Sequence, residues 1–110
     1  MSTQFFNAFT LEGAMRVAIE GELLVSNRQE FKQRMLDLLE AGNRRFVLDL
    51  AQCAYIDGSG QGVLVSVSKK IRDAGGSLEL RGLNEDLVNL FRITHLDSLF
   101  VIRDSAAVTV

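Results

Sequence analysis

Tyr55-Ile56-Asp57-Gly58-Ser59-Gly60-Gln61-Gly62-Val63 is the stretch on which the fold turns. The run Phe46-Val47-Leu48-Asp49-Leu50 precedes it, and an apolar run of that length bounded by turn residues reads as a buried strand. Downstream, Val63, Leu64, Val67 and Ile71 recur at helical spacing, with Lys69, Lys70, Arg72 and Asp73 largely opposite them. That pattern predicts an amphipathic helix over 59–74. The quoted stretch is therefore a strand-to-helix junction. Amides at a helix start lack partners within the helix and favour negative charge. Asp57 can cap by accepting one of them, and the glycines permit tight strand-to-helix packing. A second reading makes Ser59 a regulatory acceptor or the centre of a docking surface. A phosphate there would add about −1.5 to −2 charges near neutral pH. Helix amides would soften that charge and Asp57 would repel it. Residue chemistry leaves both readings standing.

Outward from the junction, Gly75-Gly76 ends the second helix and Ser77-Leu78-Glu79-Leu80 is a short strand. Asn84 can cap a third helix with Leu87, Leu90 and Phe91 as its inner stripe, and Leu99–Ile102 is a last strand. Toward the N-terminus, Met15–Glu20 alternates as a half-buried strand that Gly21 ends, and Phe5–Phe9 is a weaker strand pattern. Ser26 and Gln29 have capping-box spacing ahead of Phe31, Met35, Leu38 and Leu39, with Gly42 placed as the C-terminal cap of this first helix. Alternation from residue 45 onward implies parallel pairing with right-handed crossovers, while the first two strands suit a hairpin. The class is α/β, a mixed sheet with helices on one or both faces.

The bulk numbers narrow the function. The 110 residues suit a single domain over 1–110, with 47% hydrophobic and 24% charged residues. A net charge of −2 without a basic run gives no footprint for nucleic acid. Met1-Ser2-Thr3-Gln4 lacks the marks of a signal peptide, and no apolar run approaches the roughly 20 residues of a membrane span. With Cys53 the single cysteine, a reducing cytoplasm is expected. Cys53 and His95, each the only one of its kind, cannot assemble a transition-metal cluster, and no cofactor is indicated. A nucleophile elbow needs glycine two residues either side of its serine, where Ser59 has Asp57 and Gln61. His95, as a base for Ser59, is better read as a helix-end or surface residue. Gly58, Gly60 and Gly62 match neither a dinucleotide fingerprint nor a Walker motif. An enzyme is not expected.

Val47-Leu48-Asp49-Leu50 followed by Tyr55-Ile56-Asp57-Gly58-Ser59-Gly60-Gln61-Gly62-Val63-Leu64 resembles the signature of STAS domains, nearest to bacterial anti-sigma factor antagonists. Gly21-Glu22-Leu23, Gly75-Gly76 and Leu90-Phe91 followed by Leu96 extend the likeness over nearly the whole chain. The resemblance implies a STAS-like sheet of four to five strands packed with three to four helices. It also implies a partner-switching role. Such antagonists bind an anti-sigma factor that is also a serine/threonine kinase, which frees the sigma factor; phosphorylation releases them and a phosphatase resets the cycle. On that resemblance Leu24, Asp57, Gly58, Ser59, Gly60 and Gln61 form the partner-binding surface, with Ser59 the candidate phosphorylation site.

The chain departs from the family pattern in three places. The acceptor directly after the aspartate is replaced by Gly58, which moves the hydroxyl to Ser59, about 100° around the helix. Leu24 stands where many antagonists carry an aspartate, and Asp104–Val110 has room for only one or two helical turns. An apolar patch at Leu23, Leu24 and Val25 is a docking surface on one reading and the start of core packing on the other. Gly58 and Leu24 also suit a phosphorylation-independent STAS adaptor of a signalling scaffold or transporter. A small-nucleotide binder ranks third, and the sequence leaves homo-oligomerisation open.

Overall fold

Phe6–Leu11 (β1) and Ala14–Ile19 (β2) pair antiparallel around Glu12 and Gly13, whose φ angles are 52° and 80°. Positive φ at both turn residues matches the right-handed twist of paired strands, so the expected hairpin forms here. The structure, a computed structural model, describes residues 5–106. From β2 the chain runs through Gly21–Leu23 (β3), helix Arg28–Glu40 (α1), Arg45–Asp49 (β4) and Cys53–Ile56 (β5). It continues as helix Gly58–Asp73 (α2), Ser77–Arg81 (β6), helix Glu85–Ile93 (α3), a 3-10 turn at Leu96–Ser98 and Val101–Arg103 (β7).

Five strands form one sheet in the order β1-β2-β4-β6-β7, parallel from β2 onward as the alternation implied. Its register aligns Val17 with Leu48, Leu48 with Leu80 and Leu80 with Ile102. Side chains two apart share a face, so these residues with Phe6, Ile19 and Phe46 make one apolar layer. Phe31 and Met35 of α1, Leu64, Val67 and Ile71 of α2, and Leu87 and Phe91 of α3 close onto that layer and are fully buried. Phe31 meets Phe6 edge to face, centroids 6.0 Å apart at 67°, a preferred aromatic geometry. Apart from Val47, which is also buried, the alternate positions of the central strands are largely polar or charged. Glu79 accepts from Arg81 at 2.6 Å and Arg103 at 2.9 Å, and Arg81 reaches Asp104 at 2.8 Å. All three helices thus lie on one face of the sheet.

Three sequence expectations need correction. The strand ends ahead of Gly21 as expected, but Gly21 does not lead straight into the first helix: it opens β3, which pairs in parallel with β5 as a separate two-stranded ribbon. Ser26 is not the cap of α1. Asn27 holds that position, and its side chain bonds back into the preceding turn rather than onto the helix. The last strand starts at Val101 because Leu99 closes the 3-10 turn and Phe100 packs 6.2 Å from Phe91. Of the two termini, Met1–Gln4 and 107–110, the latter holding most of the expected final turns, lie outside the described residues.

Candidate functional site

The Asp57 carboxylate is the hub of the junction. One oxygen accepts from the Gly60 amide at 2.8 Å, capping α2, and the other accepts from the Val25 amide at 3.1 Å. The Asp57 amide in turn donates to the Leu23 carbonyl at 3.1 Å. One residue therefore ties the start of α2 to the turn after β3. The Gly60 amide foremost, then the Val25 and Ser59 amides and the Arg28 charge, hold this carboxyl below the ordinary aspartate range against some desolvation. Gln61 adds a side-chain bond to the Ile56 carbonyl at 3.3 Å.

Gly60 is glycine for a steric reason. A Cβ there would collide with the Leu23 carbonyl oxygen and stand 2.8 Å from the Ile56 side chain. The helix start can press against β3 only without it. On the other side of the turn, Asn27 accepts from the Leu24 amide and donates to the Glu22 carbonyl, both at 2.8 Å. Asn84, which caps α3 through the Leu87 amide at 2.8 Å, also reaches the Cys53 carbonyl at 3.3 Å. Loops are usually the softest part of a fold, but these bonds hold the ribbon and its turn in place.

The predicted site residues separate by exposure. Gly58 is exposed, and Leu24, Asp57, Ser59 and Gln61 are half-buried around one junction. Gly60 is buried against β3, so the expectation that it touches a partner gives way to a packing role. Leu23 is likewise fully buried, leaving Leu24 and the 61% exposed Val25 as the apolar part of the surface. Sequence reasoning passed over Tyr55, 47% exposed beside the junction, and the clamping Asn27. The signal for Asn27 was its place in a turn, where asparagine side chains bond nearby backbone.

Two shallow grooves flank the junction. One, of ≈ 420 Å³ between α1 and α2, is bordered by Arg28, Lys32, Ser59 and Ser66. The other, of ≈ 530 Å³, is bordered by Phe5, Glu20, Glu22 and Leu24. His95, exposed in a left-handed turn after α3 (φ 62°), shares no hydrogen bond with Ser59 among the described residues. Both oxygens of Asp57 are engaged by amides, so it is not poised to take the Ser59 proton. This geometry suits recognition.

A sequence profile described as "Mlab, STAS domain" matches residues 8–103. The chain belongs to the STAS domain family. It is similar to the anti-sigma-B factor antagonist of Bacillus subtilis (strain 168), 35% identical over 92 residues that cover 80% of each protein. Its fold matches that of the protein TM1081 from Thermotoga maritima with a TM-score of 0.84 at 26% identity, covering 96% of this chain and 85% of that one. The anti-sigma factor antagonist SpoIIAA of Bacillus, in its unphosphorylated form, matches with a TM-score of 0.71 over 92% of this chain and 89% of its own. At 12% identity that likeness speaks for the fold alone. No helix among the described residues is long and apolar enough to cross a membrane.

Proposed function

We propose that this chain is an anti-sigma factor antagonist, a single STAS domain that works in the cytoplasm by binding rather than by catalysis. Its partner is a kinase-type anti-sigma factor, docked on Leu24, Val25, Asp57, Gly58, Ser59 and Gln61. Phosphorylation at Ser59 ends the complex and a phosphatase restores it. The observation that carries this reading is the Asp57 hub, which joins a half-exposed apolar turn to a helix start bearing a hydroxyl. The 35% identity to an antagonist over 80% of each protein supports it. The test is recovery of the chain from its own cells, growing and stressed, with mass measurement of the chain and of whatever accompanies it. The expected companion is a kinase-type anti-sigma factor, lost with Leu24→Asp, and the expected mass change is one phosphate on Ser59 in one condition.

A second reading has one observation in its favour. Gly58 occupies the place directly after the aspartate and offers no hydroxyl. A chain that never carries phosphate in either condition, recovered with a scaffold or transporter protein, would make it a phosphorylation-independent adaptor.

A further inference from the structure

Ser59 does not stand on open surface: it borders the α1–α2 groove opposite Arg28 and Lys32. Arg28 and Lys32 are four residues apart and share a face of α1, while Ser59 and Ser66, seven apart, share a face of α2. The groove has no carboxylate in its lining. Among the described residues neither Arg28 nor Lys32 forms an ion pair or side-chain hydrogen bond, and Arg28 feels only the nearby charge of Asp57. Two cations without an ion pair, of which only Arg28 has a carboxylate, Asp57, nearby, therefore border the groove with two serine hydroxyls that have no partner of their own among the described residues.

We propose that a phosphate carried by Ser59 is received within the chain, in the α1–α2 groove, by Arg28 and Lys32. The proposal rests on the reading of Ser59 as the modified residue. In the modification the Ser59 oxygen bonds to the terminal phosphorus of a nucleoside triphosphate held by the kinase. The bond from that phosphorus to the bridging oxygen breaks, nucleoside diphosphate leaves, and the hydroxyl proton passes to solvent. The new dianion then cancels the charge of the two cations. Gly58 borders the same groove but is exposed and bears no hydroxyl, so the acceptor available beside the cations is that of the half-buried Ser59. Phosphorylation would thus erase a basic groove beside the docking surface as well as add charge to it.

The experiment uses the full chain with phosphoserine installed at position 59 during translation, so no kinase is needed. The second ionisation of the phosphate is followed by phosphorus NMR against pH, in this protein and in one also carrying Arg28→Gln and Lys32→Gln. Arg28 and Lys32 from α1 and Asp57 from the cap of α2 are the charged groups at the groove. Asp57 is present in both proteins, so the comparison isolates the two cations. An exposed phosphoserine ionises near pH 6, and a neighbouring cation favours the dianion. The expected result is an ionisation about half a pH unit or more lower with both cations than without them. Coinciding titrations would overturn the proposal, since the phosphate would then point to solvent. Coinciding titrations together with loss of the kinase-type partner in the double variant would assign the groove to an acidic side chain of that partner instead. Unphosphorylated versions of both proteins should melt alike, which separates this outcome from misfolding. Whether cells phosphorylate Ser59 is decided independently by the mass measurement above.

Discussion

At Gly58 a Cβ would meet nothing within 4 Å, and its backbone is outside the left-handed region, so the position accepts a side chain. Gly58→Ser should leave stability within about 0.5 kcal/mol of the parent, as surface changes usually do. It should also create a new acceptor beside Asp57, visible by peptide mass spectrometry after incubation with the cognate kinase. Two residues on, the same substitution class has the opposite result. Gly60→Ala pushes against the Leu23 backbone and should destabilise by about 1–3 kcal/mol in urea unfolding, the range for overpacking. The glycines were legible as a group, but which one is packed and which is free depends on β3, whose Leu23 lies far from Gly60 in sequence. Asp57 was legible as a cap, whereas its second bond to Val25 was not, for the same reason. Because its folded pKa is lowered, the carboxylate contributes stability fully above the unfolded value near 3.9, and this is lost as pH falls through the folded value. The melting-temperature difference between the parent and Asp57→Asn should accordingly hold above about pH 5 and shrink on further acidification. A difference that grew on acidification would show that the carboxyl is not the ion the hub requires.

Among the elements, those that bury a long periodic face were readable. α2 and α3 follow their apolar stripes, and β2, β4 and β6 follow alternation or apolar runs, because one side of each meets the core. The β3–β5 ribbon was not readable. Three and four residues are too few to show a period, and their pairing is set by backbone partners brought together by the fold. At Ser26 a sequence rule failed because Asn27 is used by the turn, not by the helix. The ribbon's support can be tested through Asn84, which joins α3 to β5. Asn84→Ala removes the cap at Leu87 and the bonds to the Cys53 and Ala54 carbonyls. It should cost about 1–2 kcal/mol, the upper range for a cap, since a second element is also released. Hydrogen exchange should then quicken at α3 and at the ribbon together. Faster exchange in α3 alone would mean that Asn84 is only a cap.

For the molecule as a whole, the question is whether the ribbon that carries the docking turn opens by itself or only when the domain unfolds. Cys53 reports on this directly. It pairs with Gly21 in the ribbon yet is 1% exposed and belongs to the same core cluster as Phe46, Leu48 and Leu87. Burial chiefly, with some help from Glu22, pushes its thiol up to about 11 against backbone hydrogen bonding at Tyr55 and Leu23. The thiolate is the reactive form, so at pH 8 roughly one thiol in a thousand would be ionised even if a reagent could reach it. Labelling of native protein should therefore await an opening event. When opening and closing are fast, the labelling rate relative to the unfolded chain gives the free energy of that event. Since Cys53 sits in the common core, we expect this free energy to equal the global unfolding value from urea, within the error of the extrapolation. Leu48→Ala, in the centre of the sheet, should lower both by about 2–5 kcal/mol. A labelling free energy well below the urea value, unmoved by Leu48→Ala, would show that the ribbon opens separately. The docking turn would then open independently of the domain, and partner binding would weaken only to the extent that the open form is populated.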